Sequence, residues 1–218
     1  DLGYRLPVPP VPAGYTPDTY LERLCYESGQ RRYGYIPKEV SIRLHEELRL
    51  IRKHGLSGFL LLYHEIATIA HHIMVEEGLT PAEISIELRS PGRSRGSSVA
   101  LLVGYLIGIS HVDPMAYDLT LERFLPEDMQ TLPDIDLDFP RGLRGKLIQR
   151  IHQRFGKDHA VLVGAITTYK IKGLIANIGK ALGLPGDSLR RLADGLHSHD
   201  AINLKSEMER LPDFVDKV

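Results

Sequence analysis

The chain of 218 residues has one cysteine, no tryptophan and five phenylalanines. A single cysteine, Cys25, excludes an internal disulfide framework and any zinc site built on several thiolates. No uninterrupted apolar run approaches the ~18–20 residues of a membrane-spanning helix, so no membrane partner is expected. The opening residues, Asp1-Leu2-Gly3-Tyr4-Arg5, lack the charged-then-apolar order of a secretory leader, and the expected location is cytoplasmic. Internal repeats and low-complexity tracts are missing as well. So is any excess of one charge: 27 Lys+Arg stand against 28 Asp+Glu, a net −1. What is present, 43% hydrophobic residues over this length, supports one domain, or one domain and part of another.

The neutral total hides a segregation. Residues 141–191 hold eleven basic side chains and two acidic ones, Asp158 and Asp187, hence nine net positive charges. The rest of the chain carries ten net negative charges. A polyanion responds to the local field, so this stretch can bind phosphates inside a neutral chain. Solvated helix faces are an equally ordinary explanation.

Residues 1–18, with Pro7, Pro9, Pro10, Pro12 and Pro17, read as an extended entry linker. Thr16-Pro17 then has the order of an N-cap and a first helical position. A second helix is predicted after Pro37, with Val40, Leu44, Leu48 and Ile51 on one face and Lys53-His54-Gly55 as its stop. Residues 59–74 are apolar nearly all round, which predicts a central helix. Its adjacent His71 and His72 cannot face one metal ion from one side, so packed or surface histidines are the better reading. Residues 79–97 form a polar loop, followed by a helix over 98–107. Strands are predicted over 131–139 and 160–166, with a basic amphipathic helix over 141–155 between them. A helix from Thr167 or Thr168 to Leu182 and another from about Asp187 follow. The polar tail, 197–218, carries no clear signal.

Two stretches carry chemistry. In Pro133-Asp134-Ile135-Asp136-Leu137-Asp138-Phe139, strand alternation puts the three aspartates on one face and the apolar residues on the other. Like charges on one face repel, and Asp is a poor strand former. A hard divalent cation is the usual compensation, and carboxylates at i and i+2 suit a two-metal phosphoryl-transfer site. A solvated acidic edge, a phosphatase strand and a sugar transferase remain open alternatives on the motif alone. The second stretch, Arg93-Ser94-Arg95-Gly96-Ser97-Ser98, places Gly and Arg just before a predicted helix, the pattern of an anion-binding loop. A flexible Ser-capped turn fits that loop equally well. Arg123 lies between the two stretches, where it could reach a phosphate, pair with the aspartates or form a structural salt bridge.

These residues resemble a known family. Arg95-Gly96-Ser97-Ser98, then residues 105–114 (YLIGISHVDP), Glu122-Arg123-Phe124-Leu125 and 133–139 (PDIDLDF) occur in the order and spacing of C-family bacterial DNA polymerases. These are the alpha subunits of DNA polymerase III and their error-prone relatives. The likeness extends upstream through Tyr20 to Cys25, residues 31–34 and 47–55, and downstream through Tyr169 and 179–184. Residues 166–170 and the run 179–184 (GKALGL) look closer to the error-prone branch.

The resemblance implies an α+β fold: a nucleotidyltransferase-like (polymerase beta-like) palm, with a mixed sheet flanked by helices, over residues 19–165. The start of a helical thumb, truncated, would occupy 166–218. It implies that Asp134 and Asp136 are catalytic and bind metal, with Asp138 a less direct third ligand. Arg95, Gly96, Ser97 and Arg123 would bind the nucleotide triphosphate. The implied cofactors are two Mg²⁺ ions, with Mn²⁺ as a substitute. The implied partners are primer-template DNA, deoxynucleoside triphosphates, and a sliding clamp and other replisome subunits that bind regions absent here. DNA contacts are expected from the basic stretch, at Arg141, Arg144, Lys170 and Lys172. The implied reaction is attack of a primer 3′-hydroxyl on a nucleotide α-phosphate in a bacterial cytoplasm. A non-catalytic DNA-binding or scaffolding module that keeps the fold is the alternative.

Two departures qualify the likeness. The loop over 79–90 looks longer than the family's, and Arg93-Ser94-Arg95 replaces a Gly-Arg pair. The family's third catalytic aspartate is expected beyond Val218, so the chain by itself is expected not to polymerise.

Overall fold

The computed structural model describes residues 6, 8–165, 168, 170–196 and 203–210. The expected branch signature at 166, 167 and 169, and most of the tail, lie outside the described residues. The chain divides into two compact units, Asp1–Val161 and Leu162–Val218.

The first unit is built on three long helices. α1 (Pro17–Tyr33) begins at Thr16, whose hydroxyl accepts the Thr19 amide at 3.2 Å, with Pro17 at the first helical position. α2 (Lys38–Lys53) follows Pro37 and stops at Gly55, whose φ of +67° favours a residue without a Cβ. Both helices start where the sequence predicts, because caps and proline act through local geometry. α2 turns Val40, Leu44, Leu48 and Ile51 inward, and burying each such side chain contributes about 1.5–3 kcal/mol.

α3 (Ser57–Glu76) corrects the expectation drawn from run length. It is long and apolar enough to cross a membrane, because its few polar residues are scattered and do not form a face. Packing explains the composition: α3 lies against α1 on one side and α5 (Arg144–Phe155) on another, burying Leu60, Leu61, Ala67, Ala70 and Ile73. His64 Nδ1 donates to the Ile107 carbonyl at 2.7 Å, and burial lowers its pKa. His71 is buried and His72 exposed, as their adjacency requires.

The main core joins Leu21 and Cys25 of α1 to the buried face of α2 and to α4 (Leu102–Leu106), Phe124, Leu125 and Ile135. The helix predicted over 98–107 is two pieces, a 3₁₀ turn (Gly96–Ala100) and α4, with extended Leu101 between them. A smaller cluster of Ala70, Ile73, Met74, Leu143 and Leu147 seats α5 on α3.

The described sheet is small. β1 (Arg93–Ser94) pairs antiparallel with β2 (Leu137–Asp138) in the register Arg93 to Asp138 and Ser94 to Leu137. The run predicted as a strand over 131–139 therefore narrows to β2, although its alternation persists: Ile135 is buried while Asp134, Asp136 and Asp138 are exposed. Residues 160–165 join no sheet among the described residues, and Val161 and Val163 are 82% and 90% exposed. An apolar run takes part in a sheet only when another strand supplies its hydrogen bonds.

In the second unit α6 (Ile171–Ala181) packs on α7 (Gly186–Gly195) through Ile171, Ile175, Leu192 and Leu196. Leu189 lies over Gly179, where a Cβ would collide with it. A short α8 (Leu204–Met208) follows.

Candidate active site

The β1–β2 pair joins the two chemically informative stretches. Arg93 and Arg95 alternate with buried Ser94, so both arginines lie on the exposed side of β1. Asp136 and Asp138 alternate with Leu137 on the facing chain. The Arg95 amide donates to the Asp136 carbonyl at 3.1 Å and continues the pairing past the short ladder. Arg95 then forms an ion pair with Asp138. Beneath it the hydroxyls of Ser94 and Ser98 are 2.6 Å apart, and Ser98 Oγ donates to the Arg95 carbonyl at 2.7 Å. The loop turns at Gly96, with φ +64° and no atom within 4 Å of the position a Cβ would take. Its backbone is open to a ligand there. Ser97 follows, half-buried, as the 3₁₀ turn begins. At Gly92 a Cβ would meet the Phe139 ring at 2.9 Å, so this close crossing of the two stretches also requires glycine.

Asp134 and Asp136 are exposed, and among the described residues neither carboxylate forms a hydrogen bond or ion pair. Asp138, expected as a less direct third metal ligand, has its carboxylate paired with Arg95. No cluster of three His, Cys, Asp or Glu side chains forms a metal cage among the described residues. The free oxygens of Asp134 and Asp136 suit a hard divalent cation as part of a ligand set. Tyr63 of α3 lies against this acidic segment. Burial first, then the charges of Asp134 and Asp136, raise the pKa of its phenol. Its ring packs edge-on to Phe59 at 4.9 Å.

Arg123 is exposed and pairs with no carboxylate among the described residues, so the sequence option of a salt bridge to the aspartates is not taken up. Its position is fixed by Leu121, Phe124 and Leu125, all buried in the main core. Arg141 and Arg144 are exposed at the start of α5 and unpaired among the described residues. Lys170 and Lys172 are exposed in the second unit, likewise unpaired. Three other cations of the basic stretch are taken up within the fold. Lys146 pairs with Glu77, Arg150 with Glu76 and Arg154 with Glu65.

Sequence reasoning missed Tyr63, although a tyrosine within an otherwise aliphatic run is a signal, because its hydroxyl seeks a polar partner. It also missed Glu47 of α2, which is fully buried. Glu47 accepts the amides of Leu102 and Val103, each at 2.9 Å, and the Arg43 guanidinium at 2.7 Å. Burial pushes the Glu47 carboxyl up, against the pull of both amides and Arg43.

Comparison with known proteins bears on the same residues. Residues 19–217 match the family described as the bacterial DNA polymerase III alpha NTPase domain. An error-prone DNA polymerase of Rhodopseudomonas palustris is 34% identical over 198 residues, which cover 89% of this chain and 16% of that protein. An error-prone DNA polymerase of Alkalilimnicola ehrlichii is 31% identical over 96% of this chain and 19% of its own length. The DNA polymerase III subunit alpha of Halalkalibacterium halodurans is 31% identical over 97% of this chain and 18% of its own length. The chain thus spans less than a fifth of these relatives.

Proposed function

Because the chain belongs to the bacterial DNA polymerase III alpha family, we propose that it is the palm, with the start of the thumb, of a template-directed DNA polymerase. The observation that carries this reading is the β1–β2 pairing, which sets the phosphate-loop motif beside the carboxylate motif. Nucleotidyl transfer requires that adjacency, since one stretch holds the phosphates and the other the cations bound to them. The fold we propose is a nucleotidyltransferase-like palm built around the β1–β2 pair.

Each residue then has a task. Asp134 and Asp136 hold the divalent cations, proposed as two Mg²⁺ with Mn²⁺ as a substitute. When bound, such cations supply Lewis-acid stabilisation of the charge that develops on the attacking and leaving oxygens. Gly96 and Ser97 present open backbone to the triphosphate of the incoming deoxynucleotide. Arg123, unpaired among the described residues, and Arg95 add positive charge there. Asp138 keeps Arg95 oriented over the loop. Arg141, Arg144, Lys170 and Lys172 contact the backbone of primer-template DNA. A clamp and other replisome subunits, and a cytoplasmic location, go with this reading.

The test is primer extension by the full-length protein, wild type against Asp134→Asn and Asp136→Asn. The expected result is loss of extension by at least about 10³-fold in either variant, with duplex binding retained. Extension at the wild-type rate by both variants overturns the metal-site assignment, and no extension by the wild-type protein overturns the polymerase reading. Duplex binding by a wild-type protein that extends no primer points instead to a scaffolding module.

A further inference from the structure

We propose that Arg43 and Glu47 are positioning residues that set the phosphate loop for the incoming nucleotide, an inference that rests on the polymerase reading above. The argument starts from what α4 lacks. A helix leaves its first amides without internal partners, and a polar side chain at the N-cap normally satisfies one of them. Here the N-cap is Leu101, which offers no side-chain hydrogen bond, and Leu102 and Val103 follow it. The local sequence supplies nothing polar, yet all three residues are buried. Two amides are therefore placed where neither water nor a neighbour in sequence can reach them.

Glu47 resolves this from a different helix. Its Oε1 accepts the Leu102 amide and its Oε2 the Val103 amide, both at 2.9 Å. One turn earlier on α2, Arg43 donates Nε to Glu47 Oε1 at 2.7 Å. Its Nη2 donates to the Ala100 carbonyl at 3.0 Å and to the Leu119 carbonyl at 3.2 Å. Ala100 is the last residue of the 3₁₀ turn that opens at Gly96. Leu119 leads into the segment that carries Arg123. Two side chains of one rigid helix thus fix both ends of the junction after the phosphate loop, and the approach to the second phosphate-binding cation.

The distances involved are short. A 3₁₀ helix rises about 2 Å per residue, so the fixed Ala100 carbonyl is about 8 Å along the chain from Gly96. Between the two, Ser98 bonds through its hydroxyl to Ser94 and to the Arg95 carbonyl, and its own carbonyl accepts the Leu101 amide at 3.2 Å, which ties the turn to the junction. A rotation of the junction therefore passes directly to the amides of Gly96 and Ser97. A buried ion pair is a poor source of stability, because desolvation offsets most of its attraction. A planar guanidinium fork that meets one carboxylate and two carbonyls is a good source of geometry. Misplacement by about 1 Å at a reacting group costs as much as 100-fold in rate.

The test uses the full-length polymerase with four variants: Glu47→Gln, Arg43→Lys, Arg49→Gln and Asp134→Asn. Arg49 is on α2 but pairs outward with Glu46 and Glu127, so it controls for any change on that helix. Glu47→Gln keeps the shape and loses the charge. Arg43→Lys keeps the charge and loses the fork. The expected result is a nucleotide KM raised about 10-fold or more in both, with a smaller fall in kcat and duplex Kd within about 2-fold of wild type. Arg49→Gln should leave all three unchanged. If Glu47→Gln does not fold, Arg43→Lys carries the test. An unchanged nucleotide KM in a folded Arg43→Lys or Glu47→Gln overturns the inference. So does a parallel loss of nucleotide binding, duplex binding and thermal stability, which marks a purely structural pair. Asp134→Asn separates the two readings: if it extends primers normally, the carboxylate-site assignment fails, and if the wild-type protein extends none, the polymerase reading itself fails. If it is inactive while nucleotide KM stays normal in the α2 variants, only the positioning role fails.

Discussion

Substituting Gly108 by alanine should destabilise the first unit well beyond the usual effect of adding one methyl group. Gly108 has φ +80°, and an added Cβ would meet Ile86 Cγ1 at 2.8 Å and the Ile86 carbonyl carbon and oxygen at 3.2 Å. The left-handed backbone alone costs an L-residue about 1–2 kcal/mol. Overpacking against neighbours that cannot yield costs about 1–3 kcal/mol more, and two of the three neighbours here are backbone atoms. The expected total is about 2–5 kcal/mol, a large part of a stability of about 5–15 kcal/mol. Gly55→Ala is the reference, because Gly55 has φ +67° with nothing within 4 Å of its Cβ position. It should show only the backbone cost of about 1–2 kcal/mol. Native-state hydrogen exchange of the slowest amides in α2 and α3 reads the first unit's own opening free energy. A local effect should accompany the global one. Ser90 Oγ donates to the Gly108 carbonyl at 2.7 Å and to the Gly92 carbonyl at 2.9 Å, so the Ile86 loop is coupled to β1. The Arg95 amide, bonded to Asp136, should therefore exchange faster in Gly108→Ala and not in Gly55→Ala. Equal costs for the two substitutions, within about 0.5 kcal/mol, would falsify the steric argument.

Two further outcomes test the electrostatics. Arg49 and then Lys53 pull the Glu127 carboxyl down to about 2, so this group stays ionised far into acid and its pairing is lost only as pH falls through that value. Carboxyl NMR of the chain at low salt should show that midpoint, and Arg49→Gln with Lys53→Gln should return it to about 4; a wild-type midpoint near 4 refutes the pairing. Duplex binding should weaken with salt, and the 141–191 stretch should contribute a log–log slope of magnitude no greater than about 7, since eight of its cations are unpaired among the described residues and each phosphate contact contributes about 0.9. Arg141→Ala with Arg144→Ala should reduce that slope by about 2, and Lys146→Ala should leave it alone; the opposite order contradicts the assignment.

Much of the helical frame was legible because its signals are local. Thr16-Pro17, Pro37 and Gly55 delimit α1 and α2 through backbone geometry that needs no distant partner. The alternation of Ile135 and Leu137 with three aspartates placed the carboxylates on one face for the same reason. How far the ladder ran was not legible. A strand's length is set by what pairs with it, and β1 offers Arg93 and Ser94 only. Residues 160–165 have the composition of a strand and no described partner, so the same rule leaves them unpaired. Glu47 was invisible for a related reason. It occupies an inward position of an ordinary amphipathic pattern, and its partners are main-chain amides that no side-chain motif announces.

The charge pattern shows where counting stops and pairing begins. Eleven cations in 141–191 fit phosphate binding and solvated helix faces equally in the sequence, but the repeat of α5 that presents Lys146, Arg150 and Arg154 meets Glu76 and Glu65 of α3 and Glu77 just after it. Those three cations hold helix on helix and have little charge left for DNA. At the site the same subtraction acts on both signs. Arg95 and Asp138 pair with each other, whereas Arg93, Arg123, Asp134 and Asp136 have no ion-pair partner among the described residues. On the proposed function, an anion and a cation would bind side by side there because the Arg95–Asp138 pair has already formed. The charges open to such ligands are those that folding leaves unpaired among the described residues, and these are fewer than the sequence contains.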